Sequence, residues 1–381
     1  MITTTYSLVE ICKIRSGKRL PKGCDFSEEP TAYKYIRARD IKNGTIDGSD
    51  LVHISEEVQN KIKKYIVNTN DIVITIVGAS VGDVAYVASE FDGMNLTENA
   101  VRLTEFAPHV NSKYLMYILN SLEYWELMQQ IAGGAAQPKL GIYKIEAIKV
   151  HLPAKEVQDR IVDILCAYDD LIENNQKQIK LLGEAAQRLY KEWFVDLRFP
   201  GHETTPITDG IPEGWKNVVV TDLLEIKYGK DHKALEDGNI PVYGSGGVMR
   251  KVNKILHSGE SVLIPRKGSL NNILLVGGDF WTIDTMFFSI PRMPNVAKYV
   301  YLFLSGVDMY TMNIGAAVPS MTVKILDGMK VLCPSTEILT QFEKVVGPYF
   351  SMIELLHKKN ESLTEARDLL LPKLMNGEIE V

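Results

Sequence analysis

Seven histidines punctuate the chain, at positions 53, 109, 151, 202, 232, 257 and 357, and none stands at a spacing that brings imidazoles to one metal. Hydrolytic chemistry has one faint echo, Glu225-Ile226-Lys227 with Asp209 upstream. That combination of carboxylate and lysine is degenerate enough to arise by chance. Gly244-Ser245-Gly246-Gly247 could cradle a phosphate, but a lone glycine cluster more often marks a turn. No Gly-x-x-x-x-Gly-Lys-Ser/Thr loop occurs to hold nucleotide phosphates. No Pro-Pro-Tyr or Pro-Pro-Phe step follows an Asn or Asp, as amino-methyltransferase chemistry would need. The expectation is a chain without a catalytic residue, a metal or a cofactor of its own.

Reading DNA is another chemistry to weigh these residues against: it takes donors and acceptors at base edges and cations on the flanking phosphates. The run Tyr33–Lys42 carries Lys34, Tyr35, Arg37, Arg39 and Lys42 with a single acid, on a strand-like alternation. It reads either as a DNA-facing edge or as an ordinary solvated strand. Further along, Tyr243 and Ser245 precede a basic cluster of Arg250, Lys251 and Lys254. Arg266-Lys267-Gly268-Ser269-Leu270-Asn271-Asn272 is a polar loop straight after an apolar run, the usual place for recognition on a rigid sheet. Arg266 and Lys267 suit phosphate or guanine; Asn271 and Asn272 suit adenine edges. The corresponding loop nearer the N-terminus has Gly78, Ser80 and Asp83 and no cation, so the two loops should read different bases. Gln137, Lys139 and Ser320 lie in small-residue loops that permit close backbone approach, to DNA or to the domain itself.

Composition sets outer limits. With 381 residues, 45% of them apolar, the chain suggests two domains, each with its own core. No apolar run of 18 residues occurs, and Met1-Ile2-Thr3-Thr4-Thr5 lacks the basic-then-apolar order of a signal peptide, so a cytoplasmic location is expected. Cys12, Cys24, Cys166 and Cys333 form no Cys-x-x-Cys pair and read as reduced, mostly buried thiols. The formal charge of −6 argues weakly against nucleic acid, though net charge is silent about patches.

The elements that must position these residues occur twice. Leu8-Val9-Glu10-Ile11 leading to Ser16-Gly17-Lys18 matches Leu223-Leu224-Glu225-Ile226 leading to Tyr228-Gly229-Lys230. Asn70–Thr75 matches Gly259–Ile264, each a turn followed by a strand-forming run. Lys113-Tyr114-Leu115 matches Lys298-Tyr299-Val300, and Gly134-Ala135-Ala136-Gln137-Pro138 matches Gly315-Ala316-Ala317-Val318-Pro319. Each copy then reaches a proline, Pro153 or Pro334, and a long helix.

Both helices carry one apolar stripe at spacings of three and four. The first includes Ile161, Tyr168, Asn175, Leu182 and Leu189; the second Phe342, Tyr349, Leu356, Asn360, Leu363 and Leu370. Each stripe could cover its own domain. Alternatively the two bury each other, antiparallel and coiled-coil-like, with Asn175 and Asn360 setting register. Gly347-Pro348 should break or kink the second helix, whose long part would then begin near Pro348. The boundaries that follow are 1–152 and 201–333 for the globular parts and 153–200 and 334–381 for the helices.

Between the copies lies Trp193-Phe194-Val195-Asp196-Leu197-Arg198-Phe199-Pro200-Gly201-His202-Glu203, and Pro212-Glu213-Gly214-Trp215 reopens the fold. The chain finishes on Leu369-Leu370-Leu371-Pro372-Lys373-Leu374-Met375-Asn376-Gly377-Glu378-Ile379. Together with the duplication, this linker and this ending resemble those of the specificity (S) subunits of type I restriction-modification systems, over nearly the whole chain. The resemblance implies an α+β protein with two repeated globular target-recognition domains, separated by two long antiparallel helices in a pseudo-twofold arrangement. It implies a non-catalytic reader of a split double-stranded DNA target. Two methyltransferase (M) subunits would bind around the helices and carry the S-adenosylmethionine, and motor-nuclease (R) subunits could add cleavage. The other reading, favoured by the acidic balance, is a structural adaptor that scaffolds partner proteins and touches no DNA.

Overall fold

Ile72–Thr75 and Ser261–Pro265 are strands buried at every position, as their β-branched composition demands. Each is an inner strand of a four-stranded antiparallel sheet in one of the two units into which the chain divides, Met1–Ile172 with Glu361–Val381, and Glu173–Asn360. The computed structural model describes residues 2–133, 138–312 and 319–381. Among these residues no helix is long and apolar enough to cross a membrane.

In the first unit the sheet order is Lys13–Ser16, Ala100–Thr104, Ile72–Thr75, Val84–Tyr86. In the second it is Leu224–Tyr228, Met286–Pro291, Ser261–Pro265, Leu274–Val276. The order is the same. Each unit adds a second sheet, three-stranded in the first and four-stranded in the second, containing one parallel pair, Tyr35 beside Asn95 and Val242 beside Trp281. Each also pairs an entering strand with an exit strand, Thr4–Ser7 with Lys149–Leu152 and Lys216–Val219 with Lys330–Cys333. The fold is therefore α+β and duplicated.

The match of the openings is displaced from the one the sequence suggests. The short helix of the second copy is Val220–Leu223, and Leu224–Tyr228 is already strand. Capping explains this: the Ser7 N–H donates to the Glu10 carboxylate at 2.6 Å, and the Val219 N–H to that of Asp222 at 3.0 Å. Asp222, not Glu225, is the counterpart of Glu10. The Gly-Lys steps do coincide. A Cβ on Gly17 would stand 2.0 Å from the Thr97 carbonyl oxygen, and one on Gly229 2.0 Å from that of Ile283. Only glycine lets the strand end pass that close to the neighbouring backbone.

The long helices run Lys155–Tyr190, ending in a π-turn at Lys191–Val195, and Thr336–Asn376. The second continues through Gly347-Pro348 without a break, against expectation. Pro348 withholds one helical hydrogen bond, but Phe342 and Val346 before it are fully buried and Tyr349 and Phe350 after it pack on the same core. Tertiary packing outweighs the lost bond.

Within each unit the helical stretches are antiparallel. In the second, Asn175 Nδ2 donates to Asn360 Oδ1 at 2.7 Å, while Trp193 meets Phe342 with ring centroids 5.6 Å apart. In the first, Arg367 pairs with Asp169 at 2.8 Å, and Leu370 and Leu374 join the cluster of Ile161 and Leu165. Tyr168, Leu182, Leu189, Tyr349 and Leu363 are half-buried and Leu356 is buried. The linker folds onto the second unit's core, with Phe199 against Trp215 and His202 Nδ1 2.9 Å from the Phe199 carbonyl oxygen. Of the thiols, all free, only Cys12 is buried; Cys24, Cys166 and Cys333 are half-buried, a correction to the expected burial.

Candidate nucleic-acid interface

In the first unit the run Tyr33–Lys42 is not one strand. Extended structure stops at Ile36, and a tight turn, Ala38–Asp40, follows. Asp40 causes it, accepting from the Arg37 N–H at 2.8 Å and from its guanidinium at 2.9 Å. The cations are largely matched from within: Arg37 also reaches Asp50, Arg39 meets Asp50 at 2.8 Å and Lys42 meets Asp47 at 2.9 Å. Tyr35 is buried, and its hydroxyl donates to the Lys18 carbonyl at 2.8 Å. Burial pushes that phenol up to about 12. Lys34 is half-buried on the strand. The strand-like alternation therefore covers only Tyr33–Ile36, and Asp40, Asp47 and Asp50 lie against the cations that follow it.

The loop after the central strand is better placed. The Gly78 N–H donates to the Pro138 carbonyl at 3.2 Å, Leu140 N–H to that of Ile76 at 2.9 Å, and Val77 bridges Lys139. Ser80 and Lys139 thus lie on adjoining segments, Lys139 exposed; Gln137 lies outside the described residues. Trp125, which the sequence did not single out, donates its indole N–H to Asp83 at 3.3 Å beside this loop and stays partly exposed.

The second unit repeats the frame. Gly268 N–H donates to the Pro319 carbonyl at 3.1 Å, Met321 N–H to that of Arg266 at 2.9 Å, and Lys267 bridges Ser320. The hairpin Asp237–Gly244/Gly247–Val252 brings its tip to the same place, because Asn272 donates to the Ser245 carbonyl at 2.8 Å. Ser245, Arg266, Lys267 and Ser320 are therefore brought together, with exposed Ser269 on the same loop. Asn271 has a different job: its amide accepts from the Met309 N–H at 2.8 Å and donates to Asp308 at 3.0 Å. Both asparagine side chains hold the loop rather than stand open as adenine readers.

Arg250 and Lys251 are neighbours on one strand and so point to opposite faces. Arg250 is bound to Asp237 at 2.9 Å and to the Leu235 carbonyl, while Lys251 is exposed. Tyr243 is half-buried against Phe280. Two aromatics escaped the sequence reading. Tyr228, largely exposed, lies 5.4 Å beneath the Arg266 guanidinium, and the Tyr310 hydroxyl reaches the Gly268 carbonyl at 3.4 Å. The glycine motif Tyr228-Gly229-Lys230 was the available signal for the first.

Glu225 and Lys227 pair with each other at 2.5 Å on their strand. Among the described residues no group of three or more His, Cys, Asp or Glu gathers as metal ligands would.

The type I restriction modification DNA specificity domain matches residues 3–183 and again 212–365, in keeping with the duplicated sheets. The chain is 27% identical over 303 residues to the type I restriction enzyme MjaIX specificity subunit of Methanocaldococcus jannaschii, covering 71% of this chain and 70% of that one. It is 21% identical to the HindI specificity subunit of Haemophilus influenzae, covering 98% and 99%. Its fold is similar to the crystal structure of the type I restriction-modification S subunit from M. genitalium, with a TM-score of 0.59, 18% identity and 98% and 96% coverage. Two family matches that fall on two topologically equal units leave one assignment: this chain belongs to the family of type I restriction-modification specificity subunits, which are non-catalytic.

Proposed function

We propose that this chain reads a bipartite double-stranded DNA target, residues 1–152 taking one half-site and 201–333 the other, and that its long helices dock two methyltransferase subunits. One observation carries the reading: an identical sheet frame occurs twice, each time with unlike side chains on the loop after its buried strand, and each time joined to a long helix. Two copies of one scaffold with two different surfaces suit two different half-sites. Helices of 36 and 41 residues span about 54 and 62 Å and can hold a fixed gap between them. In this reading S-adenosylmethionine stays in the methyltransferase subunits and this chain holds none. R subunits would join the same complex.

The test is to co-express the chain with its methyltransferase partner and map methylated adenines across a genome. A split motif with a fixed gap is expected. Exchanging residues 212–332 for those of another specificity subunit should then change one half-site and leave the other. A motif wholly changed or unchanged by the exchange sinks the assignment of halves. A soluble, assembled complex that methylates nothing favours the adaptor reading.

A further inference from the structure

Two arginines of the second unit, Arg266 and Arg292, pair with no carboxylate among the described residues, and of these only Arg266 lies on the loop after the buried strand. Arg37, Arg39, Arg102 and Arg250 are each paired with a carboxylate. Among the described residues no carboxylate lies within 4.0 Å of Arg266. Its backbone is fixed on both sides, the N–H donating to the Thr285 carbonyl at 2.8 Å and the carbonyl accepting from Met321 at 2.9 Å. Its guanidinium is fixed too. Nη1 donates to the Asp284 carbonyl at 3.2 Å, and the group lies 5.4 Å from the centre of the Tyr228 ring. Tyr228 in turn leans edge-on against buried Phe287, centroids 5.1 Å apart. A guanidinium held over a ring and by one carbonyl, with no carboxylate against it, keeps most of its donor fork and loses little entropy on meeting a planar pair of acceptors.

We infer that Arg266 reads a guanine of the second half-site, its fork meeting O6 and N7 in the major groove, and that Tyr228 is the positioning residue that aims it. The inference rests on the bipartite reading above and adds to it a base and a side chain. The acceptors could equally be phosphate oxygens, which share the chemistry. The two sources differ in consequence: a base contact carries sequence information, whereas a phosphate contact weakens all sites alike.

The experiment uses the co-expressed complex with its methyltransferase subunits and compares methylation motifs of the wild type, Arg266→Ala, Arg266→Lys and Tyr228→Leu. The wild-type half-site that responds to exchange of residues 212–332 should contain a guanine. In Arg266→Ala, discrimination at that one base pair should fall about 5- to 150-fold, the range for losing a bidentate pair, with the other half-site intact. Arg266→Lys keeps the charge without the fork and should relax the same base pair. Tyr228→Leu should relax it to a smaller extent while methylation at guanine sites persists. An unchanged motif overturns the inference, as does relaxation at a position that is not guanine. A uniform loss across sites that Arg266→Lys restores assigns the residue to phosphate and overturns it too. If even the wild type yields no split motif, it is the bipartite reading that has failed, and the inference falls with it.

Discussion

The loop after the buried central strand is built the same way in both units and dressed differently. Its backbone is tied down by matching hydrogen bonds: Gly78 to Pro138 and Gly268 to Pro319, Leu140 to Ile76 and Met321 to Arg266. In that register the buried Ile76 occupies the place of Arg266, and Ser16 the place of Tyr228. Trp125 with Asp83 flanks the first loop, and Tyr310 flanks the second. The duplication has kept what the backbone needs and released what the surface presents. A sheet that fixes the loop's path without using its side chains leaves those side chains free to specify a ligand.

The strongest way to break this comparison is through the shared frame. Gly17→Ala and Gly229→Ala each force a Cβ to within 2.0 Å of a backbone carbonyl oxygen, with no flexible side chain to move aside. Each should cost about 3 kcal/mol, the upper part of the usual range for overpacking. Urea unfolding of the two variants gives the answer. If one tolerates alanine with a loss below about 1 kcal/mol, the two strand ends are not the same structural position.

Much of this frame could be seen in the residues alone. Ile72–Thr75 and Ser261–Pro265 announce buried strands because unbroken β-branched and aliphatic runs after a turn have few other uses. The Gly-Lys steps align because the close backbone approach excludes every other residue. What stayed hidden depends on pairings across long stretches of chain. Arg37 and Asp50 are distant in sequence, and only the folded turn quenches one with the other. Tyr228 ends one strand and Arg266 follows another, Ser261–Pro265, with Met286–Pro291 between them in the sheet, so no periodicity in either segment points to their contact. Pro348 misled for the opposite reason, since a local rule was overridden by a core that the local sequence does not display.

A smaller effect should separate the two copies at one matched position. Lys113 and Lys298 both open a helix, yet their anchorage differs. Lys298, mostly buried, joins Glu260 at 2.6 Å and Glu343 at 2.8 Å, tying sheet and long helix together. Burial pulls this amine down, and the two carboxylates more than offset it, leaving it raised. Lys113 has no carboxylate within 4.0 Å among the described residues; it lies 5.5 Å from the Tyr86 ring and faces Cys166, Asp169 and Asp170 of the first long helix. Lys298→Met leaves two carboxylates facing each other and should cost about 1–3 kcal/mol, discounted from the fully buried case because both acids are partly solvated. Lys113→Met should cost below about 1 kcal/mol. Equal losses in thermal unfolding would mean that the lysines do the same work in both units.

The finest distinction lies at the carbonyl of the lysine in each Gly-Lys step. In the first unit it accepts from the Tyr35 hydroxyl at 2.8 Å, and in the second from the Trp281 indole N–H at 3.0 Å. Tyr35→Phe removes one hydrogen bond and should cost about 1 kcal/mol near pH 7; Trp281→Phe removes one too and also shrinks a buried ring, so it should cost more. Only the phenol titrates. Its value rises from 10.0 in the unfolded chain to about 12 in the fold, chiefly through burial. The stabilisation it gives is therefore complete below pH 10 and drains away as pH climbs towards 12. Denaturant titrations at neutral pH and above pH 10 should show the advantage of wild type over Tyr35→Phe shrinking, while its advantage over Trp281→Phe holds steady. A Tyr35 difference that stays constant across that window would mean that the hydroxyl is more open to water than its packing implies. One geometric role would then be filled in two units by groups that respond alike, and the contrast between the copies would be confined to the loops after the buried strands.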